Sequence, residues 1–422
     1  MKLTIRIKHV YTINELLLVL VFGAFTLGIF SMYTSRDWAV SASSGQYFTT
    51  IDYSQVTKVA MITAMASALL LALLSFLKKH WEVGTLDKLV LLVGIGSMLY
   101  WLVDIVRDSS INRLFYESAT PILMLAVFAV FIGMDRDLWG LFISLCKLFG
   151  TLFLLAALFE ALLFSVQHGF GSRIGTSPVM EYFIGGFWMT AVFCMGQEKL
   201  TLGSRRFAYI LLFLCMVNAL FTMSRGWMLQ TVLLFVIYVI RADQELSKRK
   251  RANLFKLVGL FSVAALILVM VLPDVLQSLL QRVGEDTRSS QYRDFFSQVS
   301  FGQLLRGSGI DASYHIGILR NYRYIDNQVL LLMFRYGVLF AFAFCYFLVK
   351  PMLCVALGRR KDLFFNVAPM LLWLAGMLGL SIYFNMNFTL YTFVMFMMCG
   401  RCYSQIKETR WEGGIEKRYD EA

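Results

Sequence analysis

The chain has 422 residues, 58% apolar, 15% aromatic and only 16% charged, with a formal net charge of +12 and a mean hydropathy of +0.66. This composition excludes an ordinary soluble protein and leaves no soluble domain of useful size. Apolar runs of about 20 residues, enough to cross a bilayer core about 30 Å thick, recur from end to end, so the chain reads as an all-α polytopic integral membrane protein, one membrane domain over residues 1–422.

In chain order, Lys2, Arg6 and Lys8 precede the apolar run from Leu16 to Tyr33. No small-residue cleavage pattern follows, so the run reads as an uncleaved first span. Hydropathy predicts twelve spans: 14–33, 56–77, 86–106, 115–133, 139–166, 179–196, 207–223, 226–240, 254–272, 326–349, 364–383 and 386–403. Alternate connections divide the lysines and arginines unevenly, 26 on one side against 11 on the other, and positive charge stays inside. Both termini are therefore expected in the cytoplasm. The basic run 241–256 reads as a topology anchor that also touches anionic lipid heads, with no nucleic-acid role.

Asn218, Thr222, Ser224, Arg225 and Gly226 lie where spans seven and eight meet. From residue 207 to residue 240 the hairpin reaches about 51 Å as helix, short of the roughly 60 Å that two crossings need. That predicts a tip recessed below the outer surface, with Gly226 allowing the turn and Asn218, on nearly the same helix face as Arg225, holding the guanidinium or lining a cavity. A snorkelling, interfacial Arg225 is the alternative.

Residues 273–325, between spans nine and ten, form a long outer loop. It contains six arginines (Arg282, Arg288, Arg293, Arg306, Arg320 and Arg323) and no lysine, a bias that suits bidentate recognition of an anion such as phosphate, with a merely solvated loop as the alternative. Apolar spacing predicts two short amphipathic helices within it, one on DVLQSLLQRV and one on YRDFFSQVSFGQLL, lying on the membrane surface. Span ten then opens with Asp326, eleven residues before Gly337, a glycine notch for a neighbouring helix. Asp326 also suits a helix cap, and Arg335 is expected about 13 Å below it, deep in the bilayer.

Five of the seven cysteines read as buried thiols, and the Cys399/Cys402 pair lacks a second pair or a histidine to complete a metal site. No internal repeat relates the two halves, which counts against an inverted-repeat transporter.

Three short motifs together resemble the bacterial O-antigen polymerase and O-antigen ligase superfamily: TxSRG at Thr222–Gly226, an arginine ahead of GxG (Arg293, then Gly307, Ser308 and Gly309), and D-N-x9-G at Asp326, Asn327 and Gly337. The resemblance covers roughly residues 165–350. It implies a glycosyltransferase of the bacterial inner membrane that uses undecaprenyl-diphosphate-linked oligosaccharide as donor and acceptor on the periplasmic side, with no cofactor and no metal. Arg225 and Arg293 resemble the family's diphosphate-binding arginines, and Arg173 sits where a further functional arginine is often found.

The ligase branch tends to carry His-Asn where this chain has Asp326-Asn327, which favours the polymerase branch. Asp326 or His315 is then the expected general base. Arg306, Arg320, Arg323, Asn327 and Arg335 are expected to bind substrate, with Tyr314, Tyr322 and Tyr324 stacking on sugars. A chain-length regulator and a flippase are the expected partners. The alternatives are a ligase acting on a lipid or protein acceptor and, outside the enzymes, a lipid-linked oligosaccharide flippase.

Overall fold

A chain in hydrocarbon must satisfy its own backbone, and helices do so within one segment. The computed structural model describes residues 12–34, 37–40, 45–78, 85–108, 126–169, 172, 174–244, 287–309, 312–317, 319–358, 361–379 and 390–420. Helix α1 (Ile13–Met32) starts at a capping box, Thr12 and Glu15 each receiving the other's backbone N–H. Strands β1 (Trp38–Val40) and β2 (Tyr47–Thr49) form a short antiparallel ribbon, followed by α2 (Gln55–Lys78), α3 (Thr85–Asp108) and α4 (Ala129–Gly133).

Helix α5 (Arg136–His168) packs along α6 (Pro178–Gly196), which begins with Ser177 as cap and proline at its first turn. All of α6 is buried, making it the central pillar. A Cβ at Gly186 would stand 2.7 Å from Leu154, so glycine is what lets α5 approach so closely. Next come α7 (Leu202–Phe221) and α8 (Arg225–Gln244).

The long loop contributes α9 (Thr287–Gln298), α10 (Phe301–Arg306) and the antiparallel ribbon β3 (Tyr314–Ile316) with β4 (Leu319–Tyr322). Helices α11 (Gln328–Tyr336), α12 (Val338–Ala356), α13 (Phe364–Met377) and α14 (Leu390–Asp420) complete the chain.

Among the described residues, α1, α2, α5, α6, α7, α8 and α12 are long and apolar enough to cross a membrane, as a helical membrane protein requires. Expected span 254–272, most of 115–133 and the amphipathic segment 274–283 lie outside the described residues. The described residues are mainly helical, as expected, with two short β-ribbons among the helices. Two expectations need correction. Span ten is two helices, because Gly337 at φ 87° closes α11. The segment YRDFFSQVSFGQLL is likewise two helices, since Ser300 and Gln303 form a capping box that restarts the chain.

The molecule has two polar ends. The loop end carries β1, β2, the α7–α8 turn, α9, α10, β3 and β4. The opposite, basic end carries Lys78, Lys350 and Arg401 together with Arg241, near the C-terminal end of α8.

Candidate active site at the loop end

Helix α9 organises the loop through one face. Gln291 accepts the backbone N–H of Asp326 (3.2 Å), and Gln298 exchanges two hydrogen bonds of 2.8 Å with the backbone of His315. The Asp294 carboxylate accepts from Gly317 N (3.3 Å). Phe295 is fully buried between Tyr314, Phe296 and Phe334, with edge-to-face centroid distances of 5.1–5.2 Å. Arg293 projects from the same helix and is exposed. The apolar face of the expected amphipathic helix thus packs inward on Phe295, Val299 and Leu304, while Phe296 and Phe301 stay exposed.

The GxG and D-N-x9-G motifs form a single joint. Gly307 ends α10 at φ 82°, after which Ser308 N donates to Phe334 O (2.7 Å) and Gly309 N to Arg335 O (3.0 Å), satisfying carbonyls at the end of α11. A Cβ at Gly307 would stand 2.6 Å from Arg335 O, and one at Gly337 would stand 2.7 Å from Leu305 O. Both positions have positive φ as well, so steric room and backbone conformation independently require glycine. The partner at the Gly337 notch is therefore the C-terminal end of α10, a short helix of the loop itself.

Asp326 precedes α11 and is half-buried, but the cap is Asn327, whose side-chain oxygen accepts from Leu330 N (3.0 Å). Capping therefore falls to Asn327. A Cβ on Gly379, just past α13, would lie 3.5 Å from the Tyr292 hydroxyl and 4.0 Å from Asp326 O, so α13 abuts this corner.

Arg335 is 2% exposed and donates through Nη2 to Arg323 O (2.8 Å). Side chains on a helix lean toward its N-terminus, so this guanidinium reaches back along α11 to the incoming strand and is sheltered by protein. Tyr314 is buried too, its hydroxyl donating to Tyr324 O (2.9 Å). Burial, and then the proximity of Tyr322 and Asp326, pushes the Tyr314 phenol well above its usual range. Its ring faces lie inside the loop core, which leaves Tyr322 and the half-buried Tyr324 as aromatic surface.

The hairpin holding Arg225 departs from the span arithmetic. α7 and α8 are 20 residues each, about 30 Å long, so each leg is long enough to cross a full hydrocarbon core and the length deficit that predicted a recessed tip is gone. The chain turns at Met223 (φ 53°), a left-handed position unusual for a non-glycine residue, whereas Gly226 lies in the first turn of α8. Thr222 steadies the turn by donating to Ala219 O (2.8 Å). Arg225 is exposed. Asn218 donates to Leu154 O (3.1 Å) and Leu214 O (2.9 Å), so its amide nitrogen fastens α7 to α5, while its side-chain oxygen, the atom that could accept from a guanidinium, is buried with no hydrogen-bond partner among the described residues.

Gln230, five residues into α8 from Arg225, donates to Leu372 O of α13 (3.1 Å), and α13 then climbs to Gly379 beside Asp326. One helix thus ties the Arg225 leg to the Asp326 corner at the same end of the molecule. Arg306, Arg320 and His315 are exposed there, and Arg323 is half-buried. Arg173 lies outside the described residues.

Sequence reasoning missed Gln291, Gln298 and Gly379, and placed Tyr292 only on the apolar face of its helix, because the distant backbone each one meets is not written in the local sequence. A signal was present in the helical i, i+4, i+7 spacing of Gln291, Phe295 and Gln298, where glutamine shares the inward face with a phenylalanine. Among the described residues no group of histidine, cysteine or acidic side chains could hold a metal, and Cys399 donates to Phe347 O (2.7 Å) as a buried thiol. Compared with protein-family models, curated proteins and solved structures, the chain matches none of them.

Proposed function

We propose that the chain is a membrane glycosyltransferase that polymerises undecaprenyl-diphosphate-linked oligosaccharide repeat units on the outer side of a bacterial cytoplasmic membrane, without metal or cofactor. The observation that supports this reading is the joint of Gly307, Gly309 and Gly337: two motifs that look unrelated in sequence are one physical unit, in the same loop assembly as exposed Arg293 and as Asp326, whose backbone N–H Gln291 accepts.

In this reading the terminal hydroxyl of one repeat unit attacks the anomeric carbon of another. A glycosidic C–O bond forms, the bond to the lipid diphosphate breaks, and the diphosphate leaves with the electron pair. The hydroxyl proton passes to Asp326, with exposed His315 as the second base. Charge grows on the diphosphate oxygens as the bond breaks, and guanidinium groups that fork onto those oxygens stabilise it. Arg225 and Arg293 fill this role, with Arg306, Arg320 and Arg323 guiding the chain.

The test is purified protein incubated with lipid-linked repeat units and no energy source. Products one or more repeats longer are expected, and unchanged substrate refutes the polymerase. Transfer only after addition of a distinct lipid or protein acceptor identifies a ligase, and transbilayer movement without lengthening identifies a flippase.

A further inference from the structure

The basic end carries a second polar feature that glycosyl transfer does not use. Between α3 and α12 runs an open groove of about 360 Å³, with Lys88 and Lys350 among its lining residues and Leu89, Leu92, Phe342 and Tyr346 along its walls. Lys350 is half-buried, its ammonium 5.3 Å from the Tyr346 ring centroid and 5.6 Å from that of Tyr403, so aromatic faces hold it in place. Lys88 is exposed. Among the described residues neither ammonium forms an ion pair with a carboxylate. Two cations therefore share a groove in which no carboxylate of the described residues pairs with them.

The apolar walls continue away from the lysines. On α3, Leu92, Ile95, Leu99, Leu102 and Val106 are all exposed at alternating spacings of four and three, which places them on one helix face below Lys88. On α12, Phe342 and Leu339 are 68% and 82% exposed. Lys88 to Leu99 and Lys350 to Leu339 are each eleven residues, about 16 Å at helical rise, or roughly one leaflet of the bilayer core. Acyl chains cover such a track in a bilayer, so a lipid can fill both parts of the groove where a soluble anion fills only the lysine end, and a zwitterionic lipid would bring its own cation to the lysines.

We propose that the groove binds an anionic glycerophospholipid, its phosphodiester between Lys88 and Lys350 and an acyl chain laid along Leu92 and Phe342. Basic grooves between helices at the positively charged face of a membrane protein suit such headgroups. The ammonium acts there as a compact point charge on phosphate.

The experiment uses the full chain in neutral detergent, with phosphatidylglycerol or phosphatidylcholine of identical chains added. Bound lipid is read by native mass spectrometry and stability by thermal melting. Phosphatidylglycerol is expected to be retained in preference and to raise the melting temperature. Lys88→Gln and Lys350→Gln should each weaken its retention about fivefold, and together about twenty-fivefold, leaving phosphatidylcholine unaffected. Leu92→Trp should also block it by filling the track. An unchanged melting temperature in lipid-free detergent verifies that each variant is folded. Equal retention of the two lipids, undiminished phosphatidylglycerol binding in the double variant, or preferential capture of an isoprenyl diphosphate would each overturn the assignment.

Discussion

Arg225 and Arg241 belong to the same helix, sixteen residues or about 24 Å apart, and their surroundings are opposite. Arg241 is 6% exposed and spends its guanidinium on the carbonyls of Cys194 (2.7 Å) and Gln197, closing the C-terminal end of the central helix α6. This meets the orphan carbonyls and negative pole that every helix presents there. Its neighbour Arg401 is buried likewise, paired with Glu198 at 2.8 Å and lying over Trp139. At the loop end, Arg225, Arg293, Arg306 and Arg320 are exposed. The contrast teaches that a count of positive charges conceals two kinds of arginine, one completing the fold and one presented outward.

The comparison is broken most severely at Arg225. Arg225→Lys keeps the charge but loses the planar fork, and in the lengthening assay it should lower the rate by about 100- to 1,000-fold, or about 3–4 kcal/mol of barrier, with the melting temperature unchanged. A lost fold with unchanged activity per folded molecule would instead make Arg225 a structural residue like Arg241.

Next is Gly337→Ala, which adds a Cβ 2.7 Å from Leu305 O at a φ that other residues rarely adopt. It should destabilise the joint by up to about 3 kcal/mol and expose residues 299–309 to proteolysis. Arg241→Met should lower stability by about 1.5–3 kcal/mol, measured by denaturation in detergent, while activity per folded molecule stays constant.

Smaller still is Tyr314→Phe, which removes the hydrogen bond to Tyr324 O and should cost about 1 kcal/mol. Because the folded phenol titrates above its unfolded value, its contribution is complete below about pH 10 and is lost as pH rises from there toward the folded value. The wild type should therefore lose loop stability in alkali more steeply than the phenylalanine variant. Lys78→Gln should change little: the ammonium reaches Asp135 and Asp137 at 3.1 and 2.6 Å, but it is half exposed, and such pairs contribute less than about 1 kcal/mol.

These cases mark what could be read from residues alone. Helices α1, α2, α5, α6, α7 and α8 fall within a few residues of the spans expected from hydropathy, because apolar runs and capping residues such as Thr12 and Ser177 act locally. Span ten misled because Gly337 reads as a notch within one continuous helix, whereas its positive φ, with Leu305 and Arg306 against it, ends one helix and starts another. The hairpin tip misled for a similar reason: Arg206 and Arg241 served as membrane boundaries, yet the helices extend beyond both.

The sequence by itself determined a helical membrane protein with a charge asymmetry and an arginine-rich loop, since burial in lipid demands local backbone satisfaction and long apolar runs leave the chain little choice. Only the tertiary structure decided which arginines are buried and which are exposed. It also decided that Gly307 and Gly337 meet. Those outcomes depend on partners tens to hundreds of residues away, and pairing across such separations leaves no periodic trace in the chain.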